Sequence, residues 1–129
     1  MAAKADKQTT QPPANATKLA KIAGYVRDDP GAHQKLLNDR VRLGILSCLA
    51  VSASLSFKEL KNLLDVTDGI LSVHARKLED AGLVQVTKQF EGRTPKTEFQ
   101  IAPEGRQALE RHLAHMEALI QATQNLKEP

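Results

Sequence analysis

Residues Thr67 to Lys77 combine small polar side chains with two cations within a few helical turns. The segment TDGILSVHARK begins with Thr67, Asp68 and Gly69 and ends with Arg76 and Lys77. Hydroxyl groups, the free N–H groups of a helix start and the side chains of arginine and lysine all bind anions such as phosphate. A core helix would have alanine or leucine in its first turn, so the pattern indicates an anion-binding helix.

A second cationic segment lies between Lys88 and Lys96. It holds three cations, Lys88, Arg93 and Lys96, and one acid, Glu91, while Gly92 permits a tight turn. These residues could contact a polyanion, or they could be the ordinary charges of a solubilising hairpin. Taken alone, the segment does not distinguish the two.

No constellation for catalysis is visible. The chain has no glycine-rich phosphate loop and no plausible pairing of a nucleophile with a base. His112 and His115 are three residues apart and close to Glu117, but without cysteine pairs a polar helix flank explains them better than a metal site. His74 stands alone, which favours a structural, hydrogen-bonded histidine. We therefore expect no enzyme, no metal and no cofactor.

The composition favours one small domain with an aliphatic core. The 129 residues are 41% hydrophobic and 26% charged, with only 3% aromatic residues and no tryptophan. A chain of this size buries only part of its surface, so a second subunit would help to stabilise it. The net charge of +3 indicates a polyanionic partner only weakly.

The sequence also favours a cytoplasmic protein without a membrane span. The first sixteen residues contain no apolar stretch of the kind found in secretory signals. The longest uncharged run, from Leu43 to Phe57, is too short and too rich in serine to cross a bilayer. Cys48, the single cysteine, lies in the apolar segment ILSCLA and is expected to be a buried small residue.

The N-terminal part reads as a flexible tail over residues 1–16 and a helical extension over residues 17–37. Leu19, Ile22 and Val26 share one helical face, Thr17 is a candidate N-cap, and the sequence DDPG ends the helix. A further helix follows, for which Asn38 is the candidate cap. The face of Leu19, Ile22 and Val26 on the first helix is a candidate for contact with a second subunit.

A helix-turn-helix follows in the middle of the chain. Ser56 and Glu59 have the spacing of a capping box, which predicts a short helix from Phe57 to Leu64. Thr67 is the expected N-cap of the next helix. This helix is expected to end at Gly82, a residue that readily adopts the left-handed conformation. Two helices joined by so short a link form a helix-turn-helix. Leu71, Ala75, Leu78 and Ala81 are its expected core-facing residues.

The final third predicts a β-hairpin and a long helix. The segments LVQVTKQF and KTEFQIA alternate in polarity on either side of the turn EGRTP. Pro103 then begins a helix that continues to about Leu126. Its apolar side chains are spaced four, three and four residues apart, as in a coiled coil. They are Leu109, Leu113, Met116 and Ile120.

This order of elements and its motifs resemble the winged-helix transcriptional regulators related to the MarR and ArsR families. The matching stretch covers roughly residues 38–110 and contains TDGILSVHARKLEDAGLV followed by GRTPKTEFQIAPEGR. The resemblance implies a mostly α fold with a small β-hairpin. It implies a winged-helix DNA-binding domain over residues 38–102 and a dimerisation helix over residues 103–129.

The resemblance and the geometry of B-DNA together assign candidate contacts. The N-terminal turns of the second helix would enter the major groove, and the wing would reach the minor groove or the backbone. Asp68 could accept from a cytosine amino group or could favour the helix dipole, which we prefer. The DNA-binding candidates are Thr67, Asp68, Gly69, Ser72, Val73, Arg76, Lys77, Lys88, Arg93 and Lys96.

The resemblance also implies a homodimer on a palindromic operator, acting as a repressor. The interface candidates are Leu19, Ile22, Val26, Leu109, Leu113, Met116 and Ile120, although the long helix could instead fold back on its own domain. No residue identifies a small-molecule effector. The alternative function is a winged helix that contacts protein, because residues 58–101 contain seven lysines and arginines and seven aspartates and glutamates, a net charge of zero.

Overall fold

A computed structural model describes residues 14–124. Most of the predicted tail, and residues 125–129 of the predicted C-terminal helix, lie outside this range. Contacts along the chain divide it into two compact units, one of Pro30–His115 and one of Met1–Asp29 with Met116–Pro129. Each unit is described by itself.

The unit Pro30–His115 contains the elements of a winged helix. Two helices come first, α2 (Ala32–Leu36) and α3 (Arg40–Val51), and strand β1 (Leu55–Ser56) follows them. The helix-turn-helix is formed by α4 (Phe57–Leu64) and α5 (Asp68–Asp80). Strands β2 (Val84–Glu91) and β3 (Thr94–Ile101) lead into the long helix α6 (Pro103–Gln124), which continues into the other unit. The predicted fold class is confirmed.

The sheet has three antiparallel strands in the order β1-β3-β2. Val84 pairs with Ile101 and Glu91 with Thr94, which leaves Gly92 and Arg93 as a two-residue turn. The sequence predicted this hairpin but not β1, whose Leu55 pairs with Phe99. Two residues are too few to show the alternation by which a strand is recognised.

The core of this unit is aliphatic, as the composition predicted. Fully buried leucines and one isoleucine come from α3, α4 and α5, from the residue after α2 and from the residue before β2, and Phe99 of β3 packs against them. Cys48 is only partly buried and packs against this core. The core residues with less than 2% exposure are Leu37, Ile45, Leu46, Leu49, Leu60, Leu71, Leu78 and Leu83.

Two of the predicted helix starts are wrong by one or two residues. Asp39, not Asn38, caps α3, and its Oδ1 accepts from the backbone N–H groups of Val41 and Arg42. Helix α1 (Ala16–Arg27) begins after Asn15, and no side chain caps it, so Thr17 lies inside the helix. In both cases two polar residues of similar capping propensity lie within two positions of each other, and propensity alone does not choose between them.

The unit formed by both chain ends contributes α1 and the last part of α6. None of the α1 side chains is fully buried, and Leu19 and Val26 are exposed. In this part of α6, Ile120 is exposed and Ala122 is buried. No helix within residues 14–124 combines the length and the apolar character that a membrane span requires.

Candidate nucleic-acid interface

The turn of the helix-turn-helix is fixed by two hydrogen-bonded caps. The Oγ of Ser56 accepts from the N–H of Glu59 at 3.1 Å, and the Glu59 carboxylate accepts from the N–H of Ser56 at 2.8 Å. This capping box sets the start of α4. At its end Asp65 adopts the left-handed conformation with φ of 53°, and the Oγ1 of Thr67 accepts from the N–H of Ile70 at 3.2 Å. The two predicted caps, Ser56 and Thr67, are confirmed.

Helix α5 separates a buried face from an exposed one. Leu71, Ala75 and Leu78 are buried in the core, as predicted, and Ala81 is partly buried. The opposite face leaves the polar and cationic candidates exposed. An added Cβ on Gly69 would meet nothing within 4 Å, so the backbone of the first turn is open to an approaching partner. The exposed candidates on this helix and its cap are Thr67, Asp68, Gly69, Ser72, Val73, Arg76 and Lys77.

His74 lies at the edge of the buried face and fixes the orientation of α5. Its Nδ1 is 2.9 Å from Nη1 of Arg42, whose Nε donates to the carbonyl of Leu36 at 2.6 Å. The side chain of His74 is 19% exposed. The structural role expected for this histidine is therefore consistent with its contacts.

Asp68 has a partner that the sequence did not indicate. One of its carboxylate oxygens lies 2.8 Å from Nζ of Lys61 on α4. The two side chains are 70% and 41% exposed, so the ion pair contributes little to stability. It does neutralise the carboxylate at the position where a bare acid would repel a phosphate.

The wing carries the second group of candidates. Gly92 has φ of 66°, a conformation that glycine adopts without strain, and this turn exposes Arg93. Lys88 is also exposed. Within residues 14–124, no acid forms an ion pair with Lys88, Arg93 or Arg76, so their charges are available.

Lys96 is held by acids of its own hairpin. Its Nζ lies 3.3 Å from Glu91 and 3.6 Å from Glu98. The hydrogen bond to Glu91, followed by the charges of Glu91 and Glu98, raises the pKa of Lys96 above its ordinary value. The charge of Lys96 is thus largely compensated. The sequence did not indicate the contact with Glu91, because these two residues come together only when β2 and β3 pair.

Two exposed apolar residues near these surfaces were not among the candidates. Ile70 on α5 is 45% exposed, and Phe90 near the tip of the wing is 72% exposed. The sequence could have indicated the exposure of Ile70, because its helical position lies off the face formed by the buried residues Leu71, Ala75 and Leu78. Among residues 14–124 no group of histidine, cysteine, aspartate or glutamate has the arrangement of a metal site.

The interface candidates differ in their exposure. Leu109 is 4% exposed and belongs to the core of its own unit. Its assignment to an interface between subunits stays a prediction. Leu113 and Ile120 are 51% and 46% exposed, and Met116 and Ile22 are partly buried.

The comparison with protein families shows to which family of proteins the chain belongs. Residues 41–120 match the family described as a winged helix DNA-binding domain. The chain belongs to this family. The match includes the helix-turn-helix, the wing and most of α6.

Individual relatives agree with this assignment. A protein of Methanocaldococcus jannaschii named MJ0432, itself uncharacterized, is 32% identical over 93 residues, which are 72% of this chain and 98% of the relative. The structure of a transcriptional regulator homologue from Pyrococcus horikoshii OT3 has a TM-score of 0.69 and 28% identity, covering 81% of this chain and 98% of that one.

More distant structures share the winged-helix fold. A structure of MarR has a TM-score of 0.59 at 17% identity and covers 67% of this chain and 63% of that one. The regulator BldR from Sulfolobus solfataricus has a TM-score of 0.58 at 23% identity, with coverage of 85% and 81%. The resemblance to MarR-like winged-helix regulators is confirmed. Family and fold are those of DNA-binding transcription regulators.

Proposed function

We propose that this winged-helix protein is a homodimeric repressor that binds a palindromic operator in duplex DNA. Helix α5 lies in the major groove, and Arg93 at the wing tip enters the minor groove or meets the adjacent backbone. The two copies of α5 contact half-sites about 34 Å apart. The observation that carries this proposal is the open outer face of α5, from the Thr67 cap to Lys77, beside a wing with an uncompensated arginine.

The electrostatics favour a moderate rather than a strong binder. The pairs Lys61–Asp68 and Lys96–Glu91 compensate two cations near the proposed interface. Arg76, Lys77, Lys88 and Arg93 remain as phosphate or base contacts. Each cation that neutralises a phosphate adds about one unit to the dependence of affinity on salt, so we expect a shallow salt slope.

Protein contact is the second candidate function. The net charge of zero over residues 58–101 favours it, because nucleic-acid-binding surfaces are commonly basic. The exposed Phe90 on the wing is also compatible with an apolar protein surface. Neither feature requires a DNA partner, so the two functions have to be separated by direct binding.

Binding of random-sequence duplex DNA at low salt separates them. We expect the wild type to bind, and Arg93→Ala to weaken binding to all duplexes and to reduce the salt slope by about one unit. Arg111→Ala, an exposed arginine of α6 outside the helix-turn-helix and the wing, is the matched control and should bind as the wild type does. No binding by the folded wild type would favour protein contact and overturn the proposal.

A further inference from the structure

Two branched apolar side chains occupy the outer face of α5. Ile70 and Val73 are 45% and 54% exposed, although the core face of the same helix is filled by leucines and alanine. They are three residues apart and therefore neighbours on the helix surface. Both lie in the first two turns, the part of a recognition helix that meets base edges.

The fold itself does not require these two residues. Branched side chains form helices less readily than alanine or a long polar side chain, and their exposure leaves apolar surface in water. Neither belongs to the buried cluster or to the partly buried residues packed against it. A partner that covers them would remove this cost.

The surroundings of the pair specify the chemistry of that partner. Arg76 follows Val73 by three residues and Lys77 follows Ile70 by seven, so cations border the apolar pair. The Thr67 cap leaves the first N–H groups of the helix at the same end. A partner must therefore combine negative charge with small apolar groups. In the major groove of DNA that group is the C5 methyl of thymine, which lies between two phosphate backbones.

We propose that Ile70 and Val73 form a thymine-reading pair that contacts C5 methyl groups in each half-site. This inference rests on the proposed function and specifies which bases the operator carries. Val73 lies on the helical line of Gly69 and Arg76, near the middle of the outer face, and is the principal contact. Ile70 lies beside it, on the flank shared with Lys77.

The test begins with duplexes selected by the wild type from a random pool. Selected sequences should carry thymine at a fixed position of each half-site. Replacing those thymines by deoxyuridine removes only the C5 methyl group and keeps every hydrogen-bonding group. We expect affinity to fall about fourfold for each methyl group removed, the effect of losing one buried methyl-sized apolar contact.

Two variants assign the effect to the proposed residues. At the base contacted by Val73, the Val73→Ala variant should bind thymine and deoxyuridine duplexes with equal affinity. At the base contacted by Ile70, the Ile70→Ala variant should show a smaller difference in affinity between the two duplexes than the wild type does. Val51→Ala is the matched control, because Val51 ends α3 and is 87% exposed outside the recognition helix. It should retain the full thymine preference. All three variants change exposed side chains, so their helical circular dichroism should remain that of the wild type.

The outcomes separate this inference from the function on which it rests. Duplex binding that is indifferent to the C5 methyl group, or a preference that survives in Val73→Ala and Ile70→Ala, would overturn the thymine-reading pair and leave DNA binding intact. Failure of the folded wild type to bind any duplex would overturn the proposed function and this inference with it.

Discussion

Arg42 of α3 and His74 of α5 are joined through Nη1 and Nδ1 at 2.9 Å. Because arginine always donates, Nδ1 of His74 accepts and the ring carries its proton on Nε2. Arg42 also donates through Nε to the carbonyl of Leu36 at 2.6 Å. One side chain thus connects α5 to α3 and to the last residue of α2, which restricts the orientation of the outer face of α5.

We expect His74→Ala to destabilise the protein without removing a DNA contact. The change leaves the Nη1 group of Arg42 without its partner in a partly buried position, at a cost of about 1–3 kcal/mol in the free energy of unfolding. Urea denaturation measures this loss. Arg76→Ala on the exposed face is the control and should change the free energy of unfolding by less than about 0.5 kcal/mol. An unchanged stability of His74→Ala, with lost DNA binding, would make His74 a contact residue instead.

Gly105 is required by the close approach of α6 to the start of β2. An added Cβ would lie 2.0 Å from the carbonyl oxygen of Leu83, which accepts from the N–H of Ala102. Gly105→Ala should therefore lower the free energy of unfolding by about 3 kcal/mol, although alanine is the better helix former.

The matched control for Gly105→Ala is Gly69→Ala. A Cβ on Gly69 would meet nothing within 4 Å, so this change should raise stability by up to about 1 kcal/mol. It should also weaken DNA binding, because the added methyl group separates the first turn of α5 from the duplex. Equal thermal stabilities of the two variants would contradict the packing described for Gly105.

Stability should decrease at mildly acidic pH because of His112. Burial, followed by the charge of His115, lowers the pKa of His112 below its ordinary value. The unfolded chain therefore binds the proton first as pH falls below about 6.5, and the stability present above that pH is lost. Urea denaturation between pH 8 and pH 5 measures the decrease. His112→Gln should flatten it, and a profile unchanged by this substitution would contradict the assignment.

The proposed dimer predicts that Ile120→Glu yields monomers. Ile120 is 46% exposed, so a charge there should be tolerated by the folded chain but not by an apolar interface. Met116→Glu is a less specific change, because Met116 is already partly buried. Gln121→Glu places the same charge one residue further along the helix and is the control. Light scattering should give half the wild-type mass for Ile120→Glu alone, and an unchanged mass would contradict this interface.

Local signals in the sequence were sufficient for the elements that form the site. The Ser56–Glu59 capping box, the Thr67 cap and the positive φ of Gly82 are each determined by a few neighbouring residues. Once the core-facing residues of α5 were identified, the helical period predicted which of its side chains point outward. These features depend on short-range physics, which a single sequence contains.

Contacts between separate elements could not be predicted in this way. The Lys61–Asp68 pair joins α4 to α5 and the Lys96–Glu91 pair joins β3 to β2, and the burial of Leu109 also depends on how elements pack. Leu109 shared the spacing of the coiled-coil seam, and spacing does not tell whether the covering surface belongs to the same chain. Strand β1 forms only because β3 offers it an edge, so its two residues carried no signal of their own.

The most direct test of the account is a map of backbone amide shifts on addition of a selected operator duplex at low salt. We expect the largest changes on residues 67–77 of α5 and its cap, and on residues 88–96 of the wing. Changes confined to other parts of the chain, with these two segments unaffected by bound DNA, would contradict the account.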